Sequence, residues 1–289
     1  MEFALEVNGL RKKYGTFSLK NVTFALPRGY IMGLIGPNGA GKTTIIKLIM
    51  NLIRREGGDI RLFGMDTVER EAEIKARIGF VYDVPAFYQD ITLREISLAI
   101  APFYVKWDDA LFCNLVERFE LPLAKKFKKL SQGMKTKFAL TLALSHDADL
   151  ILMDEPTTGL DPVFRRDLLG QLRSIMEDEG KSILFSTHIT RDLERIADYI
   201  TLIQDGAVLF SSPTDDILSH WAVVKGSEEL LPVDRISSIE GVRRGTYGTE
   251  MLISDVEAER GHLPEGVVIE RASLEEIMVF KKGEQRHAS

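Results

Sequence analysis

Gly36-Pro37-Asn38-Gly39-Ala40-Gly41-Lys42-Thr43-Thr44 follows the short apolar run Tyr30-Ile31-Met32-Gly33-Leu34-Ile35 and leads into the helix-compatible stretch 45–52. A strand, a glycine-rich turn and a helix in that order make a phosphate-binding loop. Glycines let the backbone approach phosphate oxygens, the turn aims amide N–H groups inward, and the helix begins there with its positive dipole end. Lys42 is placed to neutralise β- and γ-phosphates, and the Thr43 hydroxyl to ligate Mg²⁺. The plain alternative is a turn that merely links strand to helix. The joint fit of Gly36, Gly41, Lys42 and Thr43 implies instead a bound nucleoside triphosphate.

Working outward, residues 3–7 alternate like a strand and break at Asn8-Gly9, and residues 17–26 form a second strand ending at Pro27. Together they predict an antiparallel sheet ahead of the phosphate-binding strand. Residues 60–64 read as a short strand, 69–77 as a charged helix and 78–82 as another strand. From Thr92 to Ser145 the period turns helical, with Leu111, Phe112, Leu115, Val116 and Phe119 at spacings of three and four. Apolar strands return at 150–153, 182–185 and 199–203, the first two separated by an amphipathic helix, which predicts a parallel sheet covered by helices. Asp205-Gly206 predicts a hairpin turn. Past Pro213 the texture changes to short β-rich pieces, and Ser273 with Glu276 forms a capping box opening a last helix.

The strand Leu150-Ile151-Leu152-Met153 empties into Asp154-Glu155. In parallel sheets ligands bind beyond the carboxyl ends of strands, where both side chains reach the crevice. Asp154 suits the Mg²⁺ shell, and Glu155 a base that polarises the attacking water. Such a pair is also a common loop start; beside a phosphate-binding loop, catalysis is the stronger reading.

Composition excludes other classes. The 289 residues are 45% hydrophobic and 28% charged, enough for one large and one smaller domain. The formal net charge of −6 gives no basic nucleic-acid footprint. The run Lys125, Lys126, Lys128, Lys129, Lys135 and Lys137 is read as a solvated helical face, because no aromatic platform is interleaved with it. The single cysteine, Cys113, forbids an intrachain disulfide and is assigned to packing beside Phe112. His262 and His287 stand alone in polar surroundings, without a metal role. No stretch approaches the ~18 consecutive apolar residues of a spanning helix, and the N-terminus lacks a signal-peptide pattern. A cytoplasmic protein that touches a membrane only through a partner is therefore expected.

Five motifs in a fixed order carry a family resemblance: Lys13-Tyr14-Gly15, the phosphate-binding loop, Leu130-Ser131-Gln132-Gly133-Met134, Asp154-Glu155, and Gly159-Leu160-Asp161 followed by Ser186-Thr187-His188. Over residues 2–212 the chain resembles the ATP-binding subunits of ABC transporters. The resemblance implies an α/β P-loop NTPase core with an antiparallel β subdomain and a helical signature subdomain (about 88–145) within residues 1–212, followed by a small C-terminal α+β domain over 213–289. It also implies roles. Tyr14 is similar to the aromatic on which adenine stacks, the alternative being a surface-strand tyrosine. His188 is similar to the switch histidine that donates to the γ-phosphate, the alternative being a satisfied core histidine. Ser131 and Gly133 open a helix that binds the γ-phosphate held by a second subunit. Asp161 links the two sites of such a dimer.

Two positions depart from the family pattern. The signature ordinarily reads LSGGQ, and here it reads LSQGM; the segment ending at Asp83 ordinarily ends in a glutamine that contacts Mg²⁺. Aspartate is still a hard oxygen ligand, and Gln89 is a candidate substitute. Both departures resemble those of bacterial exporters of drugs and amphipathic peptides. The implied function is the ATP-binding and ATP-hydrolysing subunit of a bacterial exporter. Its partners would be a multispanning permease and a second ATP-binding subunit. Two alternatives are an importer subunit and a soluble ATPase acting on ribosomes, nucleic acid or cofactor assembly.

Overall fold

The structure, a computed structural model, describes residues 2–83, 87–228, 230, 231, 233, 236–245 and 248–283. Strands β1 (Phe3–Tyr14), β2 (Phe17–Pro27), β4 (Gly57–Leu62) and β5 (Met65–Asp66) form an antiparallel sheet in the order β2-β1-β4-β5. β1 does not turn at Asn8-Gly9, as its sequence predicts. The strand runs through to Tyr14 with register shifts between Val7 and Leu10, and Gly9 adopts φ 61° within that irregularity. The Asn-Gly pair makes a bulge because pairing with β2 and β4 continues on both sides of it.

The central sheet has the order β10-β9-β3-β8-β7-β6, formed by β3 (Ile31–Ile35), β6 (Ile78–Val81), β7 (Leu150–Asp154), β8 (Ser182–Thr187), β9 (Tyr199–Gln204) and β10 (Ala207–Pro213). All pairings are parallel except the β9–β10 hairpin. β3, β7 and β8 are buried on both faces, while the edge strand β10 is not, and the two-residue period sorts the buried side chains. Ile31, Ile35, Ile151, Met153, Ile183 and Phe185 face one core. Met32, Leu34, Leu150, Leu152 and Leu184 face the other, which they share with the antiparallel sheet and with helix α1 (Lys42–Ile49).

The charged helix predicted at 69–77 is the shorter α2 (Glu71–Lys75), because the Asp66 carboxylate accepts from Val68 N and Glu69 N and holds that stretch in a turn. The helical insertion contains α3 (Leu93–Ile100), α4 (Asp109–Arg118) and α5 (Gln132–Leu144). α3 opens with a capping box between Thr92 and Glu95. Cys113 is exposed, against the packing role its neighbours suggested. On α4 the buried side chains are Phe112 and Leu115, and a residue one step beyond Phe112 turns about 100° away from the core. The lysine run is only partly helical: Lys126 and Lys128 lie before α5 and pair with Asp90, while Lys135 and Lys137 on α5 sit over the rings of Phe127 and Phe164.

Helices α6 (Pro162–Ile175), α7 (Thr190–Ile196) and α8 (Thr214–His220) complete the cover of the central sheet and lead to a third sheet, β12-β13-β11-β14. Its strands are β11 (Ala222–Gly226), β12 (Ile239–Gly245), β13 (Gly248–Ile253) and β14 (Val268–Arg271), all antiparallel. One face has its own small core of Ala222, Val224, Met251 and Ile253. The other face sends Val223 and Leu252 into the main core beside α10 (Leu274–Gly283). The capping box at the start of α10 is present, with Ser273 and Glu276 hydrogen-bonded reciprocally.

Short helix α9 (Val256–Glu259) carries a buried carboxylate. Glu259 Oε1 accepts from Ser237 Oγ at 2.7 Å and from Ser237 N and Ser238 N at 3.0 Å each, and Oε2 lies 3.2 Å from His262 Nδ1. The Ser237 hydroxyl leads the groups that hold this carboxyl down at about 2, from its ordinary 4.5. A depressed pKa contributes stability that is present above the unfolded value and is lost as pH falls through the folded one. Glu259→Gln is therefore expected to melt lower than the native chain at neutral pH. That gap should close as pH falls from 4.5 towards 2, as read by thermal melts across the series. His262 thus has a partner in Glu259, and His287 lies outside the described residues.

Candidate functional site

The phosphate-binding loop is held from below by tertiary contacts. Gly36 sits at φ 156°, and a Cβ there would fall 2.2 Å from the Ile203 carbonyl oxygen, a collision with backbone on the neighbouring strand. Gly41, immediately before α1, has φ 113°, and a Cβ would meet Phe17 Cζ at 2.9 Å and Leu19 Cδ2 at 2.7 Å. Gly206 N donates to Ala40 O at 3.1 Å, so the β9–β10 hairpin braces the turn. Gly36→Ala should cost at least about 2 kcal/mol by forcing this backbone apart. A lowered denaturant midpoint, together with lost nucleotide binding, is the expected readout.

Lys42 is buried, and its Nζ donates to Gly36 O at 2.8 Å and Pro37 O at 3.3 Å and lies 3.4 Å from Glu155 Oε1. Thr43 Oγ1 donates to Asp154 Oδ1 at 3.2 Å, and Ser186 Oγ donates to the same oxygen at 2.7 Å. Asp154 is fully buried at the end of β7, and its Oδ2 has no hydrogen-bond partner. Burial pushes its pKa up against the opposing hydrogen bonds from Ser186 and Thr43. An orphaned carboxylate oxygen beside a threonine hydroxyl is a donor set that fits a hard cation. Among the described residues no three carboxylate, histidine or cysteine side chains cluster for a metal, so phosphate oxygens and water would complete the shell.

Glu155 follows with φ 49°, a left-handed conformation uncommon for a residue with a Cβ. Its amide donates to Ser186 O at 3.1 Å and to Ser186 Oγ at 3.2 Å, which fixes the turn and aims the side chain back over the loop. Oε2 lies 2.8 Å from His188 Nδ1 and accepts from His188 N at 3.3 Å and Thr158 Oγ1 at 3.4 Å. Lys42 and His188 therefore converge on one carboxylate.

These groups open onto a cavity of about 570 Å³, whose wall includes Phe17, Asn38, Lys42, Asp83, Glu155 and His188. Gly39, Gly41, Thr43 and Thr44 line it as well, while Gly36, Pro37 and Ala40 shape the loop beneath. Burial, then the charges of Asp154 and Glu155, raise the pKa of Asp83. Gln89 does not join the cavity wall; its amide donates to Phe87 O at 3.0 Å.

Other predicted positions lie elsewhere. Tyr14 is about half exposed, opposite Phe17 in the β1–β2 pairing, with the Lys12 ammonium 5.3 Å from its ring centre. Ser131 is the N-cap of α5 and accepts from Met134 N at 3.3 Å. Gly133 has open space around it, with only Leu160 Cδ2 near, at 3.8 Å. Asp161 is the N-cap of α6, accepting from Val163 N and Phe164 N. The Phe164 amide leads the groups that hold its pKa low. None of these four lines the cavity.

Sequence reasoning assigned no role to three residues of this site. Phe17 needed the hairpin register to be found, and Thr158 is visible only as a hydroxyl three residues past Glu155. Ser186 lies within Ser186-Thr187-His188 but takes its meaning from pairing with β7. The two departures meet in space: Gln132 Nε2 donates to Asp83 O at 3.3 Å, joining the first turn of α5 to the cavity wall.

A parallel sheet with a phosphate-binding loop at the carboxyl end of β3 and an acidic pair at the end of β7 defines a P-loop nucleotide-binding protein. A family model described as ABC transporter matches residues 19–158. The chain is 32% identical over 223 residues to the bacitracin transport ATP-binding protein BcrA of Bacillus licheniformis, covering 75% of this chain and 72% of that protein. It is 34% identical over 221 residues to the Nod factor export ATP-binding protein I of Cupriavidus pinatubonensis, covering 74% and 67%. A solved structure of an ATP-binding subunit of an ABC transporter superposes with a TM-score of 0.68 at 31% identity, over 75% of this chain and 92% of that one. The chain belongs to the ATP-binding proteins of ABC transporters. It is an ATPase whose hydrolysis is coupled to transport.

Proposed function

We propose that this chain energises a bacterial exporter by binding and hydrolysing ATP in the cavity between the phosphate-binding loop and Glu155. The observation that carries the reading is the convergence of Lys42 and His188 on Glu155 above the half-satisfied Asp154 carboxylate. Phosphoryl transfer asks a protein mainly to position groups and to neutralise charge. ATP entering the cavity offers its phosphates to the amides of residues 39–44 and draws the Lys42 ammonium from the Gly36 carbonyl and Glu155. Freed of that ion pair, Glu155 accepts the proton of the attacking water. His188, on the opposite side of Glu155 from Lys42, donates to the charge growing on the γ-phosphate. Thr43 and Asp154, with Asp83 on the rim, would hold Mg²⁺, which when bound neutralises the β- and γ-phosphate oxygens.

Base recognition is assigned to Tyr14 with Phe17, which face each other across the hairpin. Ser131 and Gly133, exposed around the N-terminus of α5 and away from the chain's own cavity, are assigned to the γ-phosphate held by a second ATP-binding subunit. Asp161 links the two sites. Residues 1–212 are assigned to the ATPase core and residues 213–289 to an accessory unit. Among the described residues no helix is long and apolar enough to cross a membrane, so a multispanning permease would supply the path and the substrate choice. The chain would then sit on the inner face of the cell membrane. The exporter direction is supported by the Nod factor export relative.

Recovering tagged protein from gently solubilised membranes tests the assignment. A stoichiometric multispanning protein is the expected companion. Recovery from the soluble fraction with ribosomal or cofactor-assembly proteins would keep the ATPase and overturn the exporter.

A further inference from the structure

We propose that α10 is a strap that positions His188 for hydrolysis, with Met278 and Glu194 as its positioning residues; this rests on the reading that ATP is hydrolysed at the phosphate-binding loop. The helix is fastened to the ATPase core at both ends. Leu274 N donates to Glu194 Oε1 on α7 at 2.8 Å, and Gln204 Nε2 on β9 donates to Lys281 O at 3.0 Å. Between these ties Leu274, Ile277 and Phe280 are buried in the same core as Leu193 and Ile196 of α7. α7 begins two residues after His188, so a helix packed along it sets the height and tilt of the histidine.

The face of α10 between the ties does not close onto the catalytic loop. A cavity of about 320 Å³ separates them, with Glu275, Met278 and Val279 on one wall and Asn38, His188 and Thr190 on the other. His188 is 40% exposed, with Glu155 at 2.8 Å on one side and this cavity on another. An imidazole that leaves Glu155 for a phosphate needs room, and the α10 side chains bound that room. Packed elements transmit small displacements because their interiors are not continuously deformable. The sheet of residues 222–271 packs on the same helix through Val223 and Leu252, so a load on that sheet reaches the catalytic histidine.

Met278→Trp and Val279→Trp fill the cavity from a partly buried and a half-exposed position respectively. Either is expected to lower kcat by about tenfold or more, against the ~10²–10³-fold that loss of one transition-state donor costs. Nucleotide affinity, read by fluorescent-nucleotide titration, and melting temperature should stay near the native values. In a His188→Ala background the same substitutions should have no further effect. Glu194→Ala, which unties the start of α10, should lower kcat in the same way, and Glu194→Gln, which keeps an acceptor for Leu274 N, should restore it. Native kcat in the folded tryptophan variants, or an equal loss without His188, overturns the strap. A native chain that binds ATP without hydrolysing it overturns the underlying reading instead.

Discussion

Glu155→Gln is expected to bind ATP, to lose hydrolysis by about 10²–10⁴-fold, the usual worth of a positioned base, and to accumulate as an ATP-bound dimer. The carboxylate lies between Lys42 and His188, and glutamine keeps its shape and its capacity to accept from His188 N while losing charge and basicity. Binding should survive because the loop amides and Lys42 are untouched, and Lys42 retains the Gly36 and Pro37 carbonyls when the ion pair is lost. Dimer accumulation follows if Ser131 and Gly133 close over a phosphate that is never released. Phosphate release and sedimentation with and without Mg·ATP separate these effects. Normal turnover in the variant would remove Glu155 as the base.

Lys42→Ala should fail earlier in the cycle. Its buried ammonium is the cation placed to meet the phosphates, and its present partners are two backbone carbonyls and one carboxylate. Charge-assisted hydrogen bonds are worth about 1.5–3 kcal/mol each, so losing this group should weaken ATP binding by about 10- to 100-fold. The apo protein should also lose stability, because Glu155 is left without its buried cation. A fluorescent-nucleotide titration beside a thermal melt reads both effects, and native affinity would show that phosphate binding rests on the loop amides alone.

The site was legible wherever local sequence and local geometry coincide. Gly36, Gly41 and Lys42 are prescribed by a turn of the backbone, and Asp154-Glu155 by the end of an apolar strand. What stayed hidden depends on pairing across long separations. Phe17 reaches the cavity because β1 continues past Asn8-Gly9, where the local signal read as a turn. Ser186 donates to the Asp154 carboxylate and accepts from the Glu155 amide only because β8 lies beside β7 in register. Cys113 shares a helix with buried Phe112 and Leu115, yet points outward because helical neighbours diverge by about 100°. The placement of α10 beside the phosphate-binding loop joins positions more than 200 residues apart, which no period or cap encodes. The two departures from the family pattern, Gln132 and Asp83, could be seen singly, but their hydrogen bond required the fold.

The most direct test of the account is phosphate release from Mg·ATP by the purified chain, measured over a wide range of protein concentration. Turnover that needs Mg²⁺ and rises per chain as concentration increases is predicted, since the proposed dimer completes each cavity with Ser131 and Gly133 of a second ATP-binding chain. A folded, ATP-binding protein whose turnover is absent, or is the same at every concentration, would contradict it.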